Sequence, residues 1–493
     1  MSVLKIFMFN DILFSVNVLE DTKIMENYKT TNSNIEENTT DFENIEKNFY
    51  KKQVELLKNT DLIKDELYLK KDVKRGLRNS DGTGVVVGLT RIGQVIGYEY
   101  DKSGNKIPID GKLYYRGYDV ADLVKNVHLE NRFGFEEATY LLLFGKLPTR
   151  DELAEFCQIL GSKRELPGNF ARDMIMTAPS RNIMNKLARS VLAMYSYDEN
   201  PDDTSLENVL KQSIRLIGSF PAFISYGFQA KRAAFDKKSL HLYTPVPSIS
   251  TAENILRMIR KTGQYTDLEA KLLDLSLILH AEHGGGNNSS FTTHLVSSTG
   301  TDTYGTIAAA VSSLKGPRHG GANIAVINMI DDLRENVQDI TNYKKIEEYL
   351  IKVLKGEAND GSGLIYGLGH AVYTLSDPRA VMLKKMAKKL AESSGMEEQF
   401  ALYEFIEKKG AELYCDVKGV CKPMPANVDL YSGFVYKALN IPIEIATPLF
   451  ATARLSGWCA HRLEELSEGS KIMRPAYGNA QDAQIYVPLA ERT

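Results

Sequence analysis

Residues 277–323 read LILHAEHGGGNNSSFTTHLVSSTGTDTYGTIAAAVSSLKGPRHGGAN. The chain has eight histidines, and this stretch holds four of them: His280, His283, His294 and His319. His280 and His283 run into the glycines 284–286, and His319 stands inside Gly-Pro-Arg-His-Gly-Gly. Glycine and proline forbid continuous helix there. Titratable rings held at breaks between apolar helices form a candidate site.

The pattern is helical on either side of this stretch. Upstream, Thr266-Asp267-Leu268-Glu269 has the spacing of a capping box. Leu268, Leu272, Leu275 and Leu279 then line one face of a helix predicted to carry His280 and His283 in its last turn and to stop at Gly284. The run EEATYLLLF, 136–144, ends at Gly145, and Thr149 with Glu152 opens the next helix. Downstream, helices are expected over 306–315, again after His319, over 378–394 and around 450–466. A loop rich in Gly, Pro and Asn, VKGVCKPMPANVDLYSG, interrupts them at 417–433. Further out, residues 80–123 alternate short β-branched runs with Asp-Gly and Ser-Gly turns, the pattern of a few small strands. Residues 20–60 are rich in Asn, Glu, Thr and Lys and are expected to form a mobile extension or a loosely docked helix. The last stretch, from Lys471, has prolines and no helical period, so an extended arm is expected there. The class is mainly α.

Composition limits what such a chain can do. At 493 residues it exceeds one ordinary core, so more than one domain is expected. A net charge of −3 and the lack of a basic block with interleaved aromatics argue against nucleic-acid binding. An anionic ligand must then be held by a few local arginines. No apolar run approaches membrane-spanning length. The four cysteines, Cys157, Cys415, Cys421 and Cys459, contain no C-x-x-C pair, which argues against a disulfide framework and for a reducing, cytoplasmic setting. His280 and His283 share a helix face, but no third ligand follows at a recognised spacing, so no metal site is expected. The run 361–370, GSGLIYGLGH, lacks the strand and helix that would frame a dinucleotide loop, although its glycines would let backbone N–H groups approach a ligand. Taken singly, Asp429 would be an ordinary helix cap, and Arg379, Arg454 and Arg474 ordinary surface charges.

Taken together and in order, these segments mean more. AEHGGGN, GPRHGGAN, GLGHAV-x3-SDPR, NVDLYSG, ATARLSGW and RPAYG, with KLYYRGYDVADL upstream, resemble the citrate synthase family, Si type, from about Asp81 to Tyr477. The resemblance implies a two-domain, mainly α fold with a few short N-terminal strands. Residues 1–80 would be an extension, 81–318 and 433–493 the large domain with its C-terminal arm, and 319–432 an inserted small helical domain. It implies condensation of acetyl-CoA, oxaloacetate and water to citrate and CoA at entry to the tricarboxylic acid cycle, with 2-methylcitrate synthesis from propionyl-CoA as the alternative. His319, His370 and Asp429 would be catalytic. His283, Arg379, Arg454 and Arg474 would bind oxaloacetate, the last in a neighbouring subunit's site. Leu364, Gly367 and Gly369 would contact CoA. No separate cofactor, nucleic acid or membrane is implied, and the unit would be a homodimer. The chain departs from the family at Arg318, where an apolar residue is more usual, and at Ala371, where many bacterial members carry Arg.

Overall fold

The computed structural model describes residues 44–60, 62–469 and 471–492, together with the backbone of 8–9 and 12–13. The chain falls into two compact units. One comprises Met1–Val85 with Ala476–Thr493, the other Val86–Pro475. In the first, β1 (Met8–Phe9) pairs antiparallel with β2 (Ile12–Leu13), and helices α1 (44–60) and α2 (Asp65–Lys70) follow. None of the residues of α1 or α2 is buried. The expectation for residues 20–43 lies outside the described residues. Among the described residues from Lys471 onward there is no helix or strand apart from one short turn at Leu489–Glu491.

The second unit is helical except for one small sheet. Strands β3 (Gly93–Tyr100) and β4 (Lys106–Tyr115) form a hairpin, and β5 (Tyr118–Asp119) pairs with the end of β4. The helices are α3 (Val120–Leu129), α4 (Phe135–Phe144), α5 (Arg150–Ser162), α6 (Ile183–Met194), α7 (Leu206–Phe235), α8 (Thr251–Ile259) and α9 (Asp267–His280). They continue with α10 (Asn288–Ser297), α11 (Thr303–Lys315), α12 (Ala322–Val337), α13 (Tyr343–Lys355) and α14 (Pro378–Ser394). The last three are α15 (Glu397–Lys418), α16 (Val428–Ala438) and α17 (Ile443–Ser467). The signals read for α4, α5 and α9 are local, and they hold. Gly145 ends α4 in the left-handed region at φ 77°, and Thr149/Glu152 and Thr266/Glu269 form complete capping boxes.

Helix α17 is the axis of this unit and packs against α4, α6, α7, α9, α10, α11 and α12. It is buried on nearly every face from Ile445 to Arg462, as a helix without a polar side must be. Trp458 sits fully buried in its middle. Small residues let the neighbours come close. A Cβ on Gly457 would stand 2.6 Å from the carbonyl oxygen of Ala281. Helices α12 to α16 pack largely on one another. The hairpin supports the loop before α14 by a similar close approach, since a Cβ on Gly97 would lie 2.2 Å from the carbonyl oxygen of Val372.

Four sequence expectations are corrected. The loop expected over 417–433 is shorter, since α15 runs to Lys418 and Asn427 caps α16, and Asp110-Gly111 lies inside β4 and not in a turn. Helix α9 ends at His280, so His283 lies beyond it in the following turn and not in its last turn. The cause is Tyr115 of β4. Its hydroxyl donates to the Ile278 carbonyl (2.8 Å) and accepts from the Glu282 amide (3.2 Å), taking both halves of the bond that would have continued the helix. The cysteine expectation is also modified, because Cys415 at the end of α15 is joined to Cys421, closing a short local loop. Cys157 and Cys459 are free. Among the described residues no helix is long and apolar enough to cross a membrane.

Candidate active site

The turn that Tyr115 creates begins the site. Arg454 on α17 donates from Nε to the His280 carbonyl at 2.6 Å, and its guanidinium lies 4.7 Å from the Phe450 ring. The hydrogen bond holds the turn 280–284 against α17. His283 then faces His370, with ring centroids 5.1 Å apart, and Tyr373, at 5.6 Å. Burial, reinforced by Arg379, keeps His283 neutral well below the ordinary histidine value.

His370 comes from the loop preceding α14. Its Nδ1 accepts the backbone N–H groups of Val372 (3.0 Å) and Tyr373 (3.1 Å). The proton of the neutral ring is therefore on Nε2, which makes His370 a donor into the site. Burial and then Arg379 bring its pKa down to about 4. Asp377 caps α14 and grips Arg379 through Nε (3.0 Å) and Nη2 (2.8 Å). Against the cost of burial, this pairing raises the arginine above its ordinary value. The same carboxylate accepts the Val428 amide at 3.1 Å, tying the start of α14 to the start of α16.

Asp429 stands in the first turn of α16. Asn427 caps that helix and also donates to the Gly369 carbonyl at 2.9 Å. Asp429 is pushed up to about 6 by burial, against the pull of Arg379 and Arg454. His319 lies in the turn before α12, where burial and then Arg454 lower its pKa. Its Nδ1 donates to the Ser313 carbonyl and its Nε2 receives Asn287, each at 3.2 Å.

The structure thus gathers His283, His319, His370, Arg379, Asp429 and Arg454 around one centre. Arg474 is exposed on the terminal segment and is not among them. Leu364 is exposed. Gly367 and Gly369 have left-handed φ angles of 88° and 80°. Their loop pairs with 425–427: the Gly369 amide donates to the Pro425 carbonyl and the Asn427 amide to that of Gly367. Among the described residues, Nε2 of His283 and Nη2 of Arg454 are buried without a hydrogen-bond partner. The arginine Nη2 is a donor and calls for an acceptor, such as a carboxylate oxygen of a ligand. Sequence reading missed Asp377, Asn287 and Tyr373. For Asp377 a signal was present, an Asp-Pro pair opening a helix. Asn287 ends the segment AEHGGGN, and for Tyr373 no signal was present.

A buried carboxyl held near neutrality, beside neutral imidazoles and arginine forks, defines an acid–base site for chemistry next to a carbonyl on an anionic substrate. Residues 80–476 match the profile of the citrate synthase C-terminal domain. The chain is 34% identical to a citrate synthase of Synechocystis sp. over 385 residues, 78% of this chain and 89% of that one. It is also 30% identical to 2-methylcitrate synthase 2 of Corynebacterium glutamicum, covering 85% and 98%. Among solved structures, citrate synthase from Thermoplasma acidophilum, in a ternary complex with carboxymethyl coenzyme A and oxaloacetate, aligns with a TM-score of 0.68 at 26% identity over 85% of this chain and 99% of that one. The enzyme from Pyrobaculum aerophilum aligns at 0.65 and 29% identity, covering 83% and 94%. The chain belongs to the citrate synthase family, and its activity is of the acyltransferase type.

Proposed function

We propose that the chain condenses acetyl-CoA with oxaloacetate and water to give citrate and CoA. Asp429 removes a proton from the thioester methyl group, and His319 stabilises the enol oxygen after exchanging one of its two 3.2 Å contacts for it. The methyl carbon then bonds to the oxaloacetate carbonyl carbon. His370 donates from Nε2 to that carbonyl oxygen and passes its proton to the new alkoxide. Water finally cleaves the thioester and releases the CoA thiol. His283, Arg379 and Arg454 hold the carboxylates of oxaloacetate, and Arg474 of a second subunit completes the set in a homodimer. Leu364, Gly367 and Gly369 border the CoA. Residues 319–432 act as the small domain whose closure excludes water. We place the reaction at the entry to the tricarboxylic acid cycle, in the cytoplasm.

The observation that carries this reading is His370. Two backbone amides fix its tautomer so that a neutral ring aims Nε2–H between His283 and Arg379. The similarity to 2-methylcitrate synthases favours a second reading, propionyl-CoA as the acyl donor. One methylene is worth about 1–3 kcal/mol of discrimination. Steady-state turnover with each thioester tests the choice: kcat/KM at least ~10-fold higher with acetyl-CoA is expected, and the reverse order would make propionyl-CoA the substrate.

A further inference from the structure

Beneath the site runs a buried chain of four side chains that the mechanism does not use. Glu465 Oε2 lies 2.7 Å from His294 Nδ1. His294 Nε2 lies 3.0 Å from His461 Nδ1, and His461 Nε2 lies 3.0 Å from Glu282 Oε1. Glu282 Oε1 also accepts the amide of Gly284, closing the turn that presents His283. His461 and Glu282 are both fully buried.

The proton count of this chain is informative. Three contacts between four groups need three protons, and two neutral imidazoles carry only two. One ring is therefore an imidazolium unless a carboxyl is protonated. His461 is the group so placed: despite burial, Glu282 and then Glu464 push it up to about 9, and in return it helps hold Glu282 below the ordinary carboxylate value. The charged and titratable groups facing His461 are Glu282 from the turn, His294 on α10 with Glu465 behind it, and Glu464 of its own helix. Arg116 and Arg454 also act on Glu282. His294, His461 and Glu464 also lie close enough together to suggest a cation site. Every ring nitrogen of the pair is already engaged, however, so protons account for the arrangement.

Glycines make room for Glu282 on two sides. A Cβ on Gly93 would stand 2.6 Å from its Cγ, and one on Gly457 would stand 2.2 Å from its Oε2. We propose that His461 is a positioning residue for the reaction: clamped between Glu282 and His294, it fixes the carboxylate that shapes the turn presenting His283 to oxaloacetate. This rests on the reading of His283 as an oxaloacetate ligand. Without its partner, the buried Glu282 must take up a proton or leave its place, and either change loosens the Gly284 amide.

The test uses the full-length enzyme and oxaloacetate as the probe, with affinity from calorimetry and KM and kcat from turnover. H461A should weaken oxaloacetate binding by ~10-fold or more with a smaller change in kcat, as for a misplaced binding group. H461Q restores an N–H donor near the Nε2 position and should recover most of the loss. In the wild type, the oxaloacetate KM should rise as pH passes about 9, whereas in H461Q it should stay flat. Wild-type affinity in folded H461A, or a wild-type KM unchanged from about pH 8 to about 10, would overturn the proposal. If H461A does not fold, H461Q and the wild-type pH profile decide. H283A separates the two readings. Loss of oxaloacetate binding in H283A without loss in H461A rejects only the positioning role, and undiminished binding in H283A rejects the ligand role.

Discussion

Asp429 is an acid held in the wrong state for its own comfort. Keeping a carboxyl of ordinary value 3.8 at about 6 costs about 3 kcal/mol of stability at neutral pH. The sign follows from the raised value: the folded state favours the protonated form, so this carboxyl is least costly below pH 3.8 and becomes a burden as pH rises through 6. Asp429→Asn removes the charge and should raise the melting temperature at pH 7 while cutting kcat by ~10²–10⁴, the usual worth of a general base. Calorimetry and turnover on the same preparation check both. In the wild type, kcat/KM should fall on acidification below about pH 6, not near 4. An unshifted acid limb with unchanged stability would remove Asp429 from the role. At this scale the sequence was informative wherever a residue stood inside a short motif, as Asp429 does in NVD and His370 in GLGH. It said nothing of His461, whose partners Glu282 and His294 lie far away in the chain and meet it only after folding.

Element boundaries were legible where their causes are local. The capping boxes of α5 and α9 and the glycine stop of α4 depend on residues within a turn of each helix end. The end of α9 was misread because its cause is Tyr115, on a strand far upstream. Tyr115→Phe should let the Glu282 amide bond directly to the Ile278 carbonyl and extend α9 by a turn. Both backbone groups stay satisfied, so stability should change by about 1 kcal/mol or less. His283 would be carried out of register, and oxaloacetate affinity should drop by ~10-fold or more. Denaturant unfolding and calorimetric binding, read together, check this. A large loss of stability with intact binding would mean that the hydroxyl serves the core alone.

At the scale of the whole molecule, the mainly α class and the small sheet at 93–119 were readable, because helical periodicity and the Ser103-Gly104 turn of the hairpin are local signals. The compact units were less so. The chain divides at Val85/Val86 and again at Pro475/Ala476, so the last residues belong with the first, a pairing that no motif announces. Arg474 stands just before the second boundary, exposed and away from the site of its own chain. If it serves a second subunit, an Arg474→Ala chain and an Asp429→Ala chain, each inactive alone, should complement one another. In a mixed C2 dimer one site carries both defects and the other neither, so about half the activity per heterodimer should return. Co-expression with differently tagged chains measures it, and verified heterodimers without activity would place Arg474 outside any shared site.

The buried centre of α17 has one more consequence. Trp458 is the only indole in the chain, one helical turn from Arg454 on one side and close to His461 on the other. Excited at the red edge of the indole band, where tyrosine does not absorb, the protein therefore emits from one tryptophan, with no second to average against. Its emission colour and lifetime will register any rearrangement along the axis that joins Arg454 to the imidazole chain, without a label.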